Sequence, residues 1–144
     1  MTNPRPAHAP WVSPYITVKD ADAAVDFYHK AFHFEIKEKA PGEDGTTWHA
    51  EMTYKDQLLM FGKQGAYDKE CATKSPVSSS VASPINLYIY CEDVDKFHKH
   101  AVTAGAKSLA APENTFWGDR MCRLQCPDGY VWCFATHVGE GEKK

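Results

Sequence analysis

Trp117-Gly118-Asp119-Arg120-Met121-Cys122-Arg123-Leu124-Gln125-Cys126-Pro127-Asp128-Gly129-Tyr130-Val131-Trp132 decides the fold. It reads as strand, tight turn, strand. In Pro127-Asp128-Gly129 the proline presets φ and the glycine takes a conformation other residues avoid. The flanks alternate or run apolar, as paired strands do. Working outward, the same unit recurs earlier in the chain. Ser13-Pro14-Tyr15-Ile16-Thr17-Val18-Lys19-Asp20 and Ser83-Pro84-Ile85-Asn86-Leu87-Tyr88-Ile89-Tyr90-Cys91-Glu92-Asp93 each form an apolar run that closes on an acid. Asp20 and Asp93 are natural N-caps, because a carboxylate accepts from the free N–H groups of a first helical turn.

Behind the caps, Ala24, Phe27, Tyr28, Ala31 and Phe32 recur at helical spacing, as do Val94, Phe97, Ala101 and Ala104. Helices are expected over 21–32 and 94–104, with Gly105 at a C-terminal cap. Short strands are expected at 34–39, 46–54 and 57–62, and again at 106–110, 118–125 and 130–136. The chain thus reads as strand-helix-strand-strand-strand, twice, and this self-similarity is the main argument for an α+β architecture of two βαβββ modules. The boundaries expected are an N-terminal tail over 1–12, a first module over 13–62, a linker loop over 63–84, a second module over 85–138 and a C-terminal tail over 139–144. Ser75-Pro76-Val77-Ser78-Ser79-Ser80 marks the linker as a flexible connection, and loops of this length often serve as lids or linkers.

The bulk properties narrow the function classes. The chain has 144 residues, 43% hydrophobic and 24% charged, with a formal net charge of −3. That is ordinary for a globular protein and offers no broad positive field for nucleic acid. No apolar run is long enough for a membrane span. The Pro- and Ala-rich start is a loose tail, not a signal peptide. Five cysteines, Cys71, Cys91, Cys122, Cys126 and Cys133, with no secretory signal suggest reduced thiols and a cytoplasmic location. Cys122 and Cys126 lack a second Cys/His pair at zinc-site spacing. No phosphate loop, nucleophile elbow or HExxH occurs.

Trp117-Gly118-Asp119-Arg120 followed by Cys126-Pro127-Asp128-Gly129-Tyr130-Val131-Trp132 resembles the "WGDR…DPxGxxW" ending of the vicinal oxygen chelate superfamily, which includes glyoxalase I, bleomycin-resistance proteins and extradiol dioxygenases. The likeness is nearest to the PhnB-like branch. Cys126 stands where the pattern has Asp. The resemblance spans nearly the whole chain and implies a curved mixed sheet around a cleft between the modules, and a homodimer. It also implies metal positions at Ser13, at Leu59 or Met60, at Asn86 and at Cys133. None of these is His, Asp or Glu, so no metal cofactor is expected; first-row metals need several imidazole, carboxylate or thiolate donors.

Strand alternation sorts the side chains by face. Ile16, Val18, Leu87, Ile89, Trp132 and Phe134 suit a helix-packed core. Tyr15, Thr17, Asn86, Tyr88, Tyr90 and Cys133 then fall in the cleft, with Met60, His49, Trp117 and Arg120 completing the expected ligand-binding set. The tyrosines would stack on a planar ligand, or are strand aromatics favoured by propensity. Arg120 would hold a carboxylate or phosphonate, or is tied up with Asp119 or another acid. Trp117 would wall the cleft or anchor a loop. Cys122 and Cys133 would be reactive only with a basic neighbour, and otherwise are buried spectators. His49 and Glu51, two apart on one strand face, are the catalytic candidates; the alternative is a solvent-facing pair beside an inward Trp48, Ala50 and Met52. His29, His98 and His100 fall on helix surfaces, and His137 closes the last strand.

Two functions follow. One is a metal-free binder of a small organic molecule, as in bleomycin-resistance-like proteins. The other is a superfamily lyase, isomerase or dioxygenase using His49, Glu51, Cys133 and Asn86 as an unorthodox donor set. A structural dimer module is a third reading.

Overall fold

A computed structural model of the chain describes residues 3–67 and 73–139. The elements run β1 (Tyr15–Val18), α1 (Ala21–Phe32), β2 (Glu35–Pro41), β3 (Thr47–Tyr54), β4 (Gln57–Lys63), α2 (Pro76–Ser79), β5 (Asn86–Tyr90), α3 (Val94–Thr103), β6 (Lys107–Asn114), β7 (Asp119–Gln125) and β8 (Val131–His137). The strands form two four-stranded mixed sheets, ordered β1-β4-β3-β2 and β5-β8-β7-β6. In each, one parallel pair joins the first and last strands of the module and the other pairs are antiparallel. The expected α+β fold of two βαβββ modules is therefore present. The strands form one ladder per module, with no pairing between β1–β4 and β5–β8 among the described residues.

Both helices start where the acids predict. Asp20 accepts from the Ala23 N–H at 3.1 Å, and Asp93 from the Lys96 N–H at 3.2 Å. Gly105, at φ +113°, follows the end of α3 in a conformation that β-carbon-bearing residues avoid. Strands β2 and β6 run further than expected, to Pro41 and past Pro112. Both are edge strands with register shifts, where a missing N–H leaves no ladder bond unmade and where bulges discourage pairing with another chain.

One core serves both modules. Tyr28 of α1 lies 4.9 Å from the Phe61 ring and 5.1 Å from the Trp132 ring, centroid to centroid, so it touches both sheets. Phe32 reaches Phe134 at 4.8 Å, and Phe97 of α3 stacks on Phe134 at 4.1 Å. All except Phe97 are essentially sealed from solvent. Removing one such ring destabilises by about 3–5 kcal/mol, because the cavity adds to the lost transfer energy. The buried Trp132 indole N–H has no partner among the described residues, a local cost the packing must offset.

Polar bonds join the modules in near-symmetric pairs. Tyr130 Oη donates to the Thr17 carbonyl at 2.7 Å, and Tyr54 Oη to the Tyr90 carbonyl at 2.9 Å. Cys126, the departure from the family pattern, is buried and accepts from Tyr28 Oη at 3.2 Å. The described part of the linker is not a free connection. Ser75 caps α2, Pro76 is buried, and the Val77 N–H donates to the Asp128 carbonyl at 3.0 Å. Asp128 also accepts from the Lys19 N–H at 2.9 Å, so one turn anchors both the linker and the first module. Cys71, with part of the linker and most of the C-terminal tail, lies outside the described residues.

Candidate functional site

With the helix faces of both sheets consumed by the core, each sheet keeps one open face. Register defines the first. Tyr15 pairs with Met60, which pairs with Glu51; Thr17 pairs with Gly62, which pairs with His49. Side chains at these positions share the side away from Ile16, Ala50, Met52 and Phe61, which are buried. The Tyr15 ring lies over Gly62, where a β-carbon would collide with it. It also approaches the His49 ring at 5.9 Å. His49 Nε2 and Glu51 Oε2 are 3.0 Å apart, and His8 of the N-terminal segment brings Nε2 to 3.7 Å from Glu51 Oε1. Glu51 is only 12% exposed at its side chain, so the pair is shielded rather than a solvent face. Trp48 does not pack inward with Ala50 and Met52. Its ring covers Gly42 and its Nε1 donates to Asp44 at 2.9 Å.

The second open face carries Tyr88 and Tyr90 on β5, Cys133 and His137 on β8, and Asp119 on β7. Asp119 is the hub. Its Oδ2 accepts from Tyr88 Oη at 2.6 Å, Tyr90 Oη at 2.8 Å and Trp117 Nε1 at 3.1 Å, and its Oδ1 accepts from His137 Nδ1 at 3.0 Å. Burial pushes its carboxyl up, but the bonds from Tyr88, His137, Tyr90 and Trp117 outweigh this and hold it below the usual carboxylate range. The Tyr88 hydroxyl is pushed up to about 12, first by burial and then by its bond to Asp119.

Arg120 does not join this group. Alternation places it on the opposite, helix-side face, where Nε and Nη2 contact Asp95 of α3 at 2.8 and 3.0 Å and Nη1 donates to Asn114 at 3.2 Å. The guanidinium is thus held in an internal ion pair with Asp95, an acid of the kind that the alternative reading of Arg120 named. Asn86 is exposed at the start of β5. Cys133 is buried in the sheet centre, and burial pushes its thiol up. Cys122 is pushed up to about 11, also by burial, on the core side.

Between the sheets, a cavity of about 330 Å³ is lined by Pro14, Tyr54, Leu58, Leu59, Leu87, Tyr88 and Tyr90 among others. A smaller one of about 160 Å³ borders Tyr15, Thr17, Gly62 and Tyr67. The positions that the resemblance implies for a metal carry Ser13, Leu59 or Met60, Asn86 and Cys133, and of these only the Cys133 thiolate is a strong donor to a first-row metal. Among the described residues no group of three or more His, Cys, Asp or Glu side chains converges as a metal would require. His49 and Glu51 sit on the first sheet and Cys133 on the second, so the unorthodox set is not assembled.

Sequence reasoning passed over Asp119 as a hub and Leu58 and Leu87 as cavity walls. The signal for Asp119 lay in the pairing of β7 with β8, which sets it opposite His137.

Two four-stranded sheets, one shared core and two open faces define a paired βαβββ protein, and residues 8–134 match the family described as the Glyoxalase/Bleomycin resistance protein/Dioxygenase superfamily. The chain belongs to that superfamily. It is 33% identical over 132 residues to uncharacterized proteins of Mycobacterium bovis and Mycobacterium tuberculosis, covering 91% of this chain and 86% and 76% of theirs. Its fold is similar to TioX from Micromonospora sp. ML1, with TM-score 0.71 and 23% identity over 90% of this chain and all of that one. It is also similar to a glyoxalase/bleomycin resistance protein/dioxygenase family enzyme from Burkholderia phytofirmans PsJN, with TM-score 0.69 and 21% identity over 88% and 97% of the two chains. No helix among the described residues is long and apolar enough to cross a membrane.

Proposed function

We propose that this chain is a metal-independent, PhnB-like member of the superfamily that binds a small organic molecule against its open sheet faces. The observation that carries the reading is the exposed aromatic face of the second module. Tyr88, Tyr90 and Trp117 are 41%, 53% and 49% exposed, yet their polar ends are tied to one carboxylate. Flat side chains held rigid in the open bind a planar ligand with little loss of rotamer freedom. The largely apolar cavity beside Tyr88 and Tyr90 supports the same reading. Superfamily members are commonly dimeric, and a homodimer that sets a partner's sheet over each open face would close the cleft. Buried thiols fit a cytoplasmic home.

The rival is catalysis by the shielded His49–Glu51 pair, which the 3.0 Å contact favours as an acid-base couple. Native mass spectrometry of protein purified without added metal tests the two together. A dimer that is bare or carries an organic adduct supports binding. One metal per chain overturns the metal-independent reading. Turnover lost in His49→Ala, with ligand affinity unchanged, would establish the rival. A thermal-shift screen tests the third reading: no organic ligand raising Tm would leave a structural module.

A further inference from the structure

His137 is the part of the Asp119 cluster that neither the fold nor the proposed binding face requires. Asp119 is 1% exposed and already accepts three bonds from Tyr88, Tyr90 and Trp117. His137 adds a fourth, through Nδ1, from a side chain that is 65% exposed. In the neutral imidazole, a carboxylate at Nδ1 places the ring proton on that nitrogen and leaves Nε2 as the acceptor. Nε2 has no partner among the described residues. Three further features fix the ring. Asp119 and His137 are register partners, the Val138 N–H donates to the Gly118 carbonyl at 2.9 Å, and any β-carbon on Gly118 would press on the imidazole. A buried acid that orients an exposed imidazole, ringed by half-exposed aromatics, is a built arrangement and not a surface histidine in passing contact.

We propose that His137 Nε2 is the polar recognition group of the second module's open face, and that it accepts a hydrogen bond from a flat aromatic ligand bearing a phenolic O–H or a heteroaromatic N–H. The Trp117 and Tyr88 rings supply the apolar contact, and Asp119 acts as a positioning residue by setting the imidazole tautomer. This rests on the reading that the open face takes a ligand, and it adds the ligand's chemistry. A site built to accept an O–H discriminates against the analogue that lacks it, because the acceptor is then left unpaired.

The test uses the full-length protein with 2-naphthol and 2-methoxynaphthalene, which share their rings and differ in the donor. Wild type is expected to bind 2-naphthol at least about tenfold more tightly, a difference of about 1.4 kcal/mol. His137→Phe keeps an exposed ring and removes the acceptor, and should bring the two affinities within about twofold. Nitrogen-15 spectra of the imidazole should report the Nδ1–H tautomer in wild type. Equal binding of both probes by wild type, binding of neither, a preference that persists in His137→Phe, or an Nε2–H tautomer would each overturn the proposal. Equal binding leaves the ligand-binding reading standing; that reading falls only if the thermal-shift screen finds no organic ligand.

Discussion

The two open faces occupy matching places in the repeat and are built differently. On the first, Glu51 meets His49 at 3.0 Å and His8 at 3.7 Å, and the N-terminal segment supplies the second of them. On the second, one buried carboxylate takes four bonds from three aromatic side chains and an imidazole, all within the module. The two modules therefore share a scaffold and differ in what their open faces carry. The second face is a rigid platform. The first is a small polar cluster under a covering segment. Function in such a fold lies in what each face carries, not in the strands beneath.

The comparison breaks most directly at its two carboxylates. Asp119→Ala removes the common acceptor of four donors and should destabilise by about 3 kcal/mol, whereas Glu51→Ala should cost less than about 1 kcal/mol. Urea midpoints of the two variants check this; equal midpoints would mean the hub is no more integral than the first face.

Acid should separate the contributions next. His33 is held below the usual imidazole value by burial, then by His100, whose ring stacks on it at 4.4 Å, and by His29. A lowered histidine value means the unfolded chain binds the proton first, so stability should fall as pH drops below about 6.5. Asp119 is lowered, so its contribution is present above about 3.9 and is lost as pH falls through its still lower folded value. Unfolding free energies measured from pH 8 to pH 3 should thus decline in two stages. His33→Gln should remove the first and leave the second.

A smaller effect concerns the thiols. Cys91, Cys122 and Cys133 are all raised by burial, Cys122 to about 11. At pH 8 the thiolate fraction is low and access is closed, so these three should react with a disulfide reagent far more slowly in native protein than in urea. Rapid native modification, mapped by peptide mass, would place a reactive thiol on the second face. The smallest effect is expected for Arg120→Ala. Its ion pair with Asp95 is solvent-screened, so the urea midpoint should barely move and affinity for any ligand should be unchanged. A large loss of affinity would return Arg120 to the binding face.

The residues themselves explain how much could be read in advance. Asp20 and Asp93 announced both helices, because capping is local chemistry. Alternation put Tyr15, Thr17, Tyr88 and Tyr90 on one side and Ile16, Val18, Leu87 and Ile89 on the other, because neighbouring strand residues must point apart. The same rule, applied to Asp119 and Arg120, assigns them opposite faces; which face each takes depends on the partner strand and on Asp95 of a distant helix. The linker misled for a related reason. Ser-rich composition reads as flexible, but Val77 docks on the carbonyl of Asp128, a contact between residues far apart in the chain.

The sequence by itself determined the repeat, the caps, the turns and the polarity of each strand, since these depend on spacing within a dozen residues. Only the tertiary structure decided that four donors converge on Asp119, that Arg120 turns to the helix side, and that His137 carries an oriented imidazole. Those outcomes depend on cross-strand register and on packing between modules, and no local pattern encodes which distant side chains will share one carboxylate.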